Sequence, residues 1–315
     1  MTDRANGGQT VSCDLSILVS RIDTSFMLKT IPHLVRACRF PFARRVLVTD
    51  TAPLGRRYAR RPGIGTMEDL RACCAQLVQA GIIDVIAPID YSPGYHRRMY
   101  RKHFSGLMRQ THSNGGYPIL GSIFAVEEST ADYLVHFDSD MLLYQAPGFN
   151  WIEEGIRLLQ RHEDLIAVLP RSGPPAADGR LKQQEETGER FEQDSRGLFC
   201  FHTFTSRVFL IDRKRFERVL PLRPRMPFPE LLRNYFTKRN TMPEWEVMVG
   251  YRLPETGLVR ADLSTPDAWT IHPNDRGEQF DAVLPNLIAR VEAGDFPPDQ
   301  GGYYDLRLDR WAAAS

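Results

Sequence analysis

Short apolar runs alternate with stretches of helical periodicity through most of the chain. Leu15 to Ile22 (LSILVSRI) is a run of the kind a strand covered on both faces needs. Met27, Ile31, Leu34 and Cys38 then recur at helical spacing behind Thr24, a candidate cap, with Pro32 expected to kink the helix. Arg45 to Asp50 (RVLVTD) predicts a second strand and Asp84 to Ile89 (DVIAPI) a third. Between them, Thr66 and Asp69 have the spacing of a capping box, and the helix they open should end before Gly81. A helix over 117–129 leads into a fourth strand, Tyr133 to Phe137, and a helix over 151–161 leads into a strand at 165–169. The stretch 171–196, including GPPAADGRLKQQEETGER, is polar and predicts a long mobile loop, the kind that often serves as a lid. Strand character returns at 205–212 (TSRVFLID) and helical character at 213–220.

Strands that alternate with helices imply an α/β fold, a Rossmann-like and mostly parallel sheet sandwiched by helices, with ligands gathering at the carboxyl ends of the strands. No internal repeat interrupts the pattern. The expected division is a flexible N-terminus (1–14), a main α/β domain (15–275, with 171–196 as its mobile loop) and a C-terminal helical extension (276–315).

Composition narrows the partners. With 42% hydrophobic and 25% charged residues among 315, the chain can build a sizeable core. Forty basic residues against thirty-nine acidic ones leave a net charge of +1, so no global field favours nucleic acid or an anionic membrane. The five cysteines are odd in number and contain no CxxC pair, the start MTDRANGGQT lacks the form of a signal peptide, and no run is long enough to span a bilayer. A reduced, cytoplasmic setting is the expectation; oligomeric state is not legible.

The candidate chemistry centres on Asp138-Ser139-Asp140, where a buried strand runs straight into two carboxylates one residue apart. Such a pair can hold a hard divalent cation that stabilises a departing diphosphate. It can equally form an Asx-type turn. Glu244 and Glu246 in PEWEV suit the first turn of a helix, where acids favour the dipole. Two basic stretches, Arg56 to Arg61 and His96 to His103, offer cations for a phosphate or simply solvated surface. Phe199, Phe201, Phe204, Trp245, Trp269, Tyr303 and Tyr304 suit a sugar-stacking platform or the core.

The passage from Gly116 to Leu143, a helix, a buried strand and then DSD, resembles the GT-A fold glycosyltransferases, in particular their family 2-like group, and the matching stretch is about 15–275. The resemblance implies a metal-dependent transferase that moves a sugar from a nucleotide-diphosphate sugar, UDP-sugar first, to an acceptor hydroxyl with inversion, using Mn²⁺ or Mg²⁺. It implies Asp140 as metal ligand with Asp138 helping, on the metal or the ribose, and His272 in WTIHPND as a third ligand, although a lone histidine beside proline is also an ordinary loop residue. Asp50, Ser20, Arg21 and Asp23 fall where family members meet the nucleoside, each with an alternative as a loop residue or cap. Glu244 takes the base position and Glu246 that of the later acid of an E-D-x-E motif, from which Pro243 departs and in which Glu replaces Asp.

Rival readings are weaker. A sugar nucleotidyltransferase opens with a Gly-rich loop after its first strand, and the junction here is SRIDTSF. A dehalogenase-like phosphatase carries its D-x-D at the start of the domain and not after three strands, and Leu142 is untypical of it. No Walker loop or GxGxxG follows a strand. A non-catalytic nucleotide-sugar-binding protein of the same fold remains the alternative from another class.

Overall fold

The computed structural model describes residues 11–55, 59, 63–237, 239–274 and 276–312. Most of the basic stretch Arg56 to Arg61 therefore lies outside the described residues. In chain order the strands are β1 (Cys13–Val19), β2 (Arg44–Thr49), β3 (Val85–Pro88), β4 (Tyr133–Asp138), β5 (Leu142–Gln145), β6 (Leu165–Leu169), β7 (Arg171–Ser172), β8 (Phe191–Gln193), β9 (Phe199–Phe201), β10 (Val208–Asp212), β11 (Val259–Asp262) and β12 (Ala268–Ile271). Nine form one sheet in the order β3-β2-β1-β4-β10-β6-β11-β9-β8, and β5-β12-β7 form a second, smaller one. The fold is mixed α/β around this large central sheet.

β1, β2, β3 and β4 pair in parallel, while β10 runs antiparallel to both β4 and β6, and β9 antiparallel to both β11 and β8. Apolar residues fill β1, β4, β6 and β10 on alternate sides, and nearly every position in them is buried, as a sheet covered on both faces requires. The chain goes outward from β1 to β2 and β3, then returns to lay β4 on the other side of β1. That reversal is a topological switch point, and it opens a crevice at the carboxyl ends of β1 and β4.

Helix starts follow local chemistry. Thr66 and Asp69 cap the helix Met67–Gln79 reciprocally, as their spacing predicts. Thr24 does not cap the next helix. Its hydroxyl donates to the Arg21 carbonyl and closes a 3-10 turn, Arg21–Asp23, so that Met27–Cys38 begins at Phe26 with no side-chain cap.

The stretch 171–196 differs from the single loop expected. It carries β7, the helix Lys182–Thr187 and β8, which closes the edge of the main sheet against β9. Its Arg171 guanidinium donates to the carbonyls of Ser264 and Gly179. The elements are too short to show a period, which is why their polar composition reads as loop. Cys13 and Asp14, assigned to the N-terminal arm, belong to β1.

A second apolar cluster lies apart from the main core. Phe26, Leu142, Trp269 and Ile271 meet Phe280, Leu284 and Val291 of the helix Glu278–Glu292, and Trp311 of the short helix Leu308–Ala312 joins them. His33 pins this layer: the Leu143 N–H donates to its Nε2 at 3.1 Å, so Nδ1 carries the proton toward Glu292 Oε1 at 2.8 Å. The five cysteines are buried and free. No helix among the described residues is long and apolar enough to cross a membrane.

Candidate active site

A cleft of about 390 Å³ opens at the switch point. Ser20, Asp23, Asp50, Asp138, Asp140, Glu244, Glu246 and His272 all line it. Arg21 does not; its carbonyl accepts from Gly65 N–H and from Thr24. The basic stretch His96 to His103 lies in the helix Pro93–Phe104 and contributes nothing to the cleft, nor does any residue of 171–196. Of the aromatic candidates only Trp245 reaches it; the others are core or sheet-edge residues and Tyr303.

Backbone register explains how distant residues meet. Leu18 of β1 pairs with Asp138 of β4, which sets Ser20 to Asp23 beside the carboxylate pair. The Met141 N–H donates to the Asp138 carbonyl in a tight turn, and β5 then leaves for the second sheet. There Leu142 pairs with Ile271 of β12, and continuing that antiparallel register brings His272 alongside Met141 and Asp140. The outcome is a His272 Nε2 to Asp140 Oδ2 separation of 3.5 Å.

Asp140 is almost completely buried, and its Oδ1 has no hydrogen-bond partner among the described residues. The Arg276 guanidinium pairs with its Oδ2 and reaches Asp23 Oδ1 at 3.7 Å. Burial alone would raise the Asp140 pKa, but Arg276 and His272 outweigh it and hold the carboxylate below its usual range. Among the described residues no guanidinium pairs with Asp138, and burial beside the Asp140 charge pushes it up. Asp23, also buried, rises to about 6. Burial lowers His272 to about 4, so its imidazole is neutral at pH 7, with its ring stacked on Tyr304. Among the described residues, no group of three or more His, Cys, Asp or Glu side chains is arranged to hold a metal ion.

Asp50 stands across the cleft at the end of β2. It accepts from the Tyr91 hydroxyl at 2.8 Å and the Ala52 N–H at 2.9 Å, and lies 3.2 Å from His112 Nε2. Burial would raise its pKa; these partners lower it instead. Glu246 is also committed: its Oε2 accepts from the Ser206 N–H at 2.7 Å and hydroxyl at 2.9 Å. Glu244 occupies the N-cap position of the helix Trp245–Thr256 without a side-chain capping bond.

Two arginines that sequence reasoning missed complete the wall. Arg207 precedes β10, and the Asp138 N–H donates to its carbonyl at 2.7 Å. Because β10 is antiparallel, its start lies at the carboxyl end of β4, and strand direction is what the sequence does not display. Arg276 was within reach, four residues after His272 in HPNDR. His112, His136 and Tyr117 are further lining residues without a motif.

No family model matches the chain, and no curated protein matches it. Among solved structures it is similar to the crystal structure of GalNAc-T7 with UDP, GalNAc and Mn²⁺, at a TM-score of 0.48 and 12% identity. The match covers 84% of this chain and 44% of that one, so the chain spans less than half the length of its neighbour. At that level of likeness nothing about activity passes from one protein to the other.

Proposed function

We propose that the protein is a GT-A-type glycosyltransferase that uses a nucleotide-diphosphate sugar, UDP-sugar first, and a divalent cation, Mn²⁺ or Mg²⁺. The observation that carries this reading is the convergence of Asp138, Asp140 and His272 with Arg207, Arg276 and Glu244 on one cleft at a switch point. The order Asp138, Asp140, Glu244, His272 along the chain is also that of the family the sequence resembles.

The residues suit a cation in one respect and need a rearrangement in another. A buried carboxylate oxygen without a partner and a neutral imidazole beside it are oxygen and nitrogen donors awaiting a ligand. Arg276 now supplies the positive charge there, so a metal held by Asp140, His272 and Asp138 requires the guanidinium to leave Asp140. When bound, the ion would neutralise charge on the departing diphosphate.

The chain's own groups perform the rest. Arg207 and a released Arg276 can donate charge-assisted hydrogen bonds to phosphate oxygens. Asp50 has about four acceptor positions and three present partners, leaving one for a ribose hydroxyl or base N–H. Ser20 and Asp23 hold each other in a capping box and shape the wall of the nucleoside side. Glu244 takes the proton from the acceptor hydroxyl, and direct displacement then inverts the anomeric carbon. Glu246 positions the turn at Ser206.

A thermal-shift series with nucleoside diphosphates, with and without Mn²⁺, tests the reading. Nucleotide plus metal at about a hundred times Kd should stabilise the fold by roughly 2.7 kcal/mol. Asp140→Ala should abolish that stabilisation together with donor hydrolysis. Metal-dependent binding without turnover on any acceptor would favour a non-catalytic nucleotide-sugar-binding protein, and no response to any nucleoside diphosphate would sink both.

A further inference from the structure

The helix Phe228–Phe236 carries the largest exposed aromatic residues among the described residues: Phe228 is 66% exposed and Phe236 75%, with Leu232 between them at 40%. At about 100° per residue, positions four apart drift only about 40°, so the three form one stripe along the helix. The stripe cannot turn inward, because the opposite side of the helix is already in use. Leu231 is buried there, and buried Asn234 donates to the Glu230 carbonyl and the Thr241 hydroxyl while its own Oδ1 accepts from the Thr241 N–H. Gln110 Nε2 donates to the Asn234 carbonyl from the neighbouring loop.

Scattered surface hydrophobics need no explanation, but a stripe of three large ones with exposed arginines beside it does, the one acid of the helix, Glu230, being half-buried and bonded to the Thr241 hydroxyl. Arg109 lies over the Tyr235 ring at 3.8 Å, and Arg233 and Arg239 are exposed nearby. Among the described residues no ion pair joins any of these three arginines to an acidic side chain, so their charge is left for a partner. Aromatic and aliphatic side chains on one side and unpaired guanidinium groups beside them are the two components that hold a helix in the headgroup region of an anionic bilayer.

We infer that this helix is a docking face for an anionic membrane surface, with Phe228, Leu232 and Phe236 entering the acyl boundary and Arg109, Arg233 and Arg239 meeting lipid phosphates. The segment that follows the helix joins this face to the cleft: Asn240 Nδ2 donates to the His112 carbonyl, the Asn114 N–H donates to the Met242 carbonyl, and Glu244 comes next. A docked molecule therefore holds its cleft rim beside the bilayer. Docking of this kind is independent of what the cleft transfers.

Sedimentation of the full chain with vesicles tests it. The protein should pellet with vesicles of equal parts phosphatidylcholine and phosphatidylserine, remain in solution with phosphatidylcholine alone, and be released as salt is raised. Replacing the stripe, Phe228→Ser with Leu232→Ser and Phe236→Ser, should cut the bound fraction about tenfold at an unchanged melting temperature, since the three side chains are exposed. Arg233→Glu with Arg239→Glu should remove the preference for the anionic lipid. Wild-type protein that ignores the mixed vesicles, or a triple variant that binds them equally well, overturns the inference. So does a wild-type dimer that becomes monomeric in the triple variant, because the stripe would then be covered by a second copy.

Discussion

Glu244 and Glu246 lie two positions apart and have different surroundings. The Glu246 carboxylate accepts two hydrogen bonds from Ser206 and so holds the turn that leads into β10. Glu246→Gln should lower stability by about 1–3 kcal/mol in a denaturant titration. Glu244→Gln should leave the melting temperature in place and reduce donor turnover by about 10²–10⁴-fold, the range of a lost general base. Equal losses of turnover with equal losses of stability would remove the distinction. Away from the cleft, Glu127 meets His103 Nε2 and Lys102 Nζ at 2.8 Å; burial would raise its pKa, but these two partners bring it down to about 2. A depressed carboxylate contributes stability above its unfolded pKa, and the contribution disappears as pH falls from about 4.5 toward 2. Glu127→Gln should therefore cost stability at pH 7 and progressively less across that window, a convergence that urea midpoints measured at several pH values will show. Residues that advertise themselves in a motif, such as the DSD triplet, were legible in the sequence. Arg207 and His112 were not, because their relevance depends on strand direction and on a loop path.

Elements with a strong period were equally legible. The fourth strand, the capped helix Met67–Gln79 and the helix Trp151–Arg161 fall where apolar spacing puts them, within a residue or two. The small sheet was not legible, since β5, β7 and β12 have four residues or fewer and take their identity from each other. Gly173, just past β7, shows how tightly that sheet is locked to the C-terminal segment. It adopts φ +84°, and a Cβ there would stand 2.5 Å from the Tyr303 carbonyl oxygen, a backbone atom that cannot swing away. Gly173→Ala combines an unfavourable backbone conformation with that clash and should destabilise by about 2–4 kcal/mol. Thermal melting checks it, and a wild-type Tm would show that the 303–304 segment yields freely. Because the Tyr304 carbonyl accepts from the His272 N–H, the same change should also disturb the imidazole beside Asp140.

At the scale of the whole molecule, composition predicted enough apolar material for a sizeable core, and the structure distributes it over a main core and a second cluster built with residues 278–312. The C-terminal segment, expected as an extension, supplies seven of the eleven buried residues of that second core and the partner that orients His33. What the sequence left out here is long-range pairing: no local pattern says that β5 will leave the main sheet to meet β12. That pairing has a consequence for folding. Asp140 and His272 come from opposite ends of β5 and β12, separated by more than a third of the chain, so their contact forms only after the intervening sheet has closed. Closing so long a loop is entropically costly, so the pair is expected to meet late in folding. A ligand that bridges them ties distant parts of the sequence together, so its binding energy opposes global unfolding rather than the opening of one loop, and amide exchange throughout the central sheet should slow when it binds.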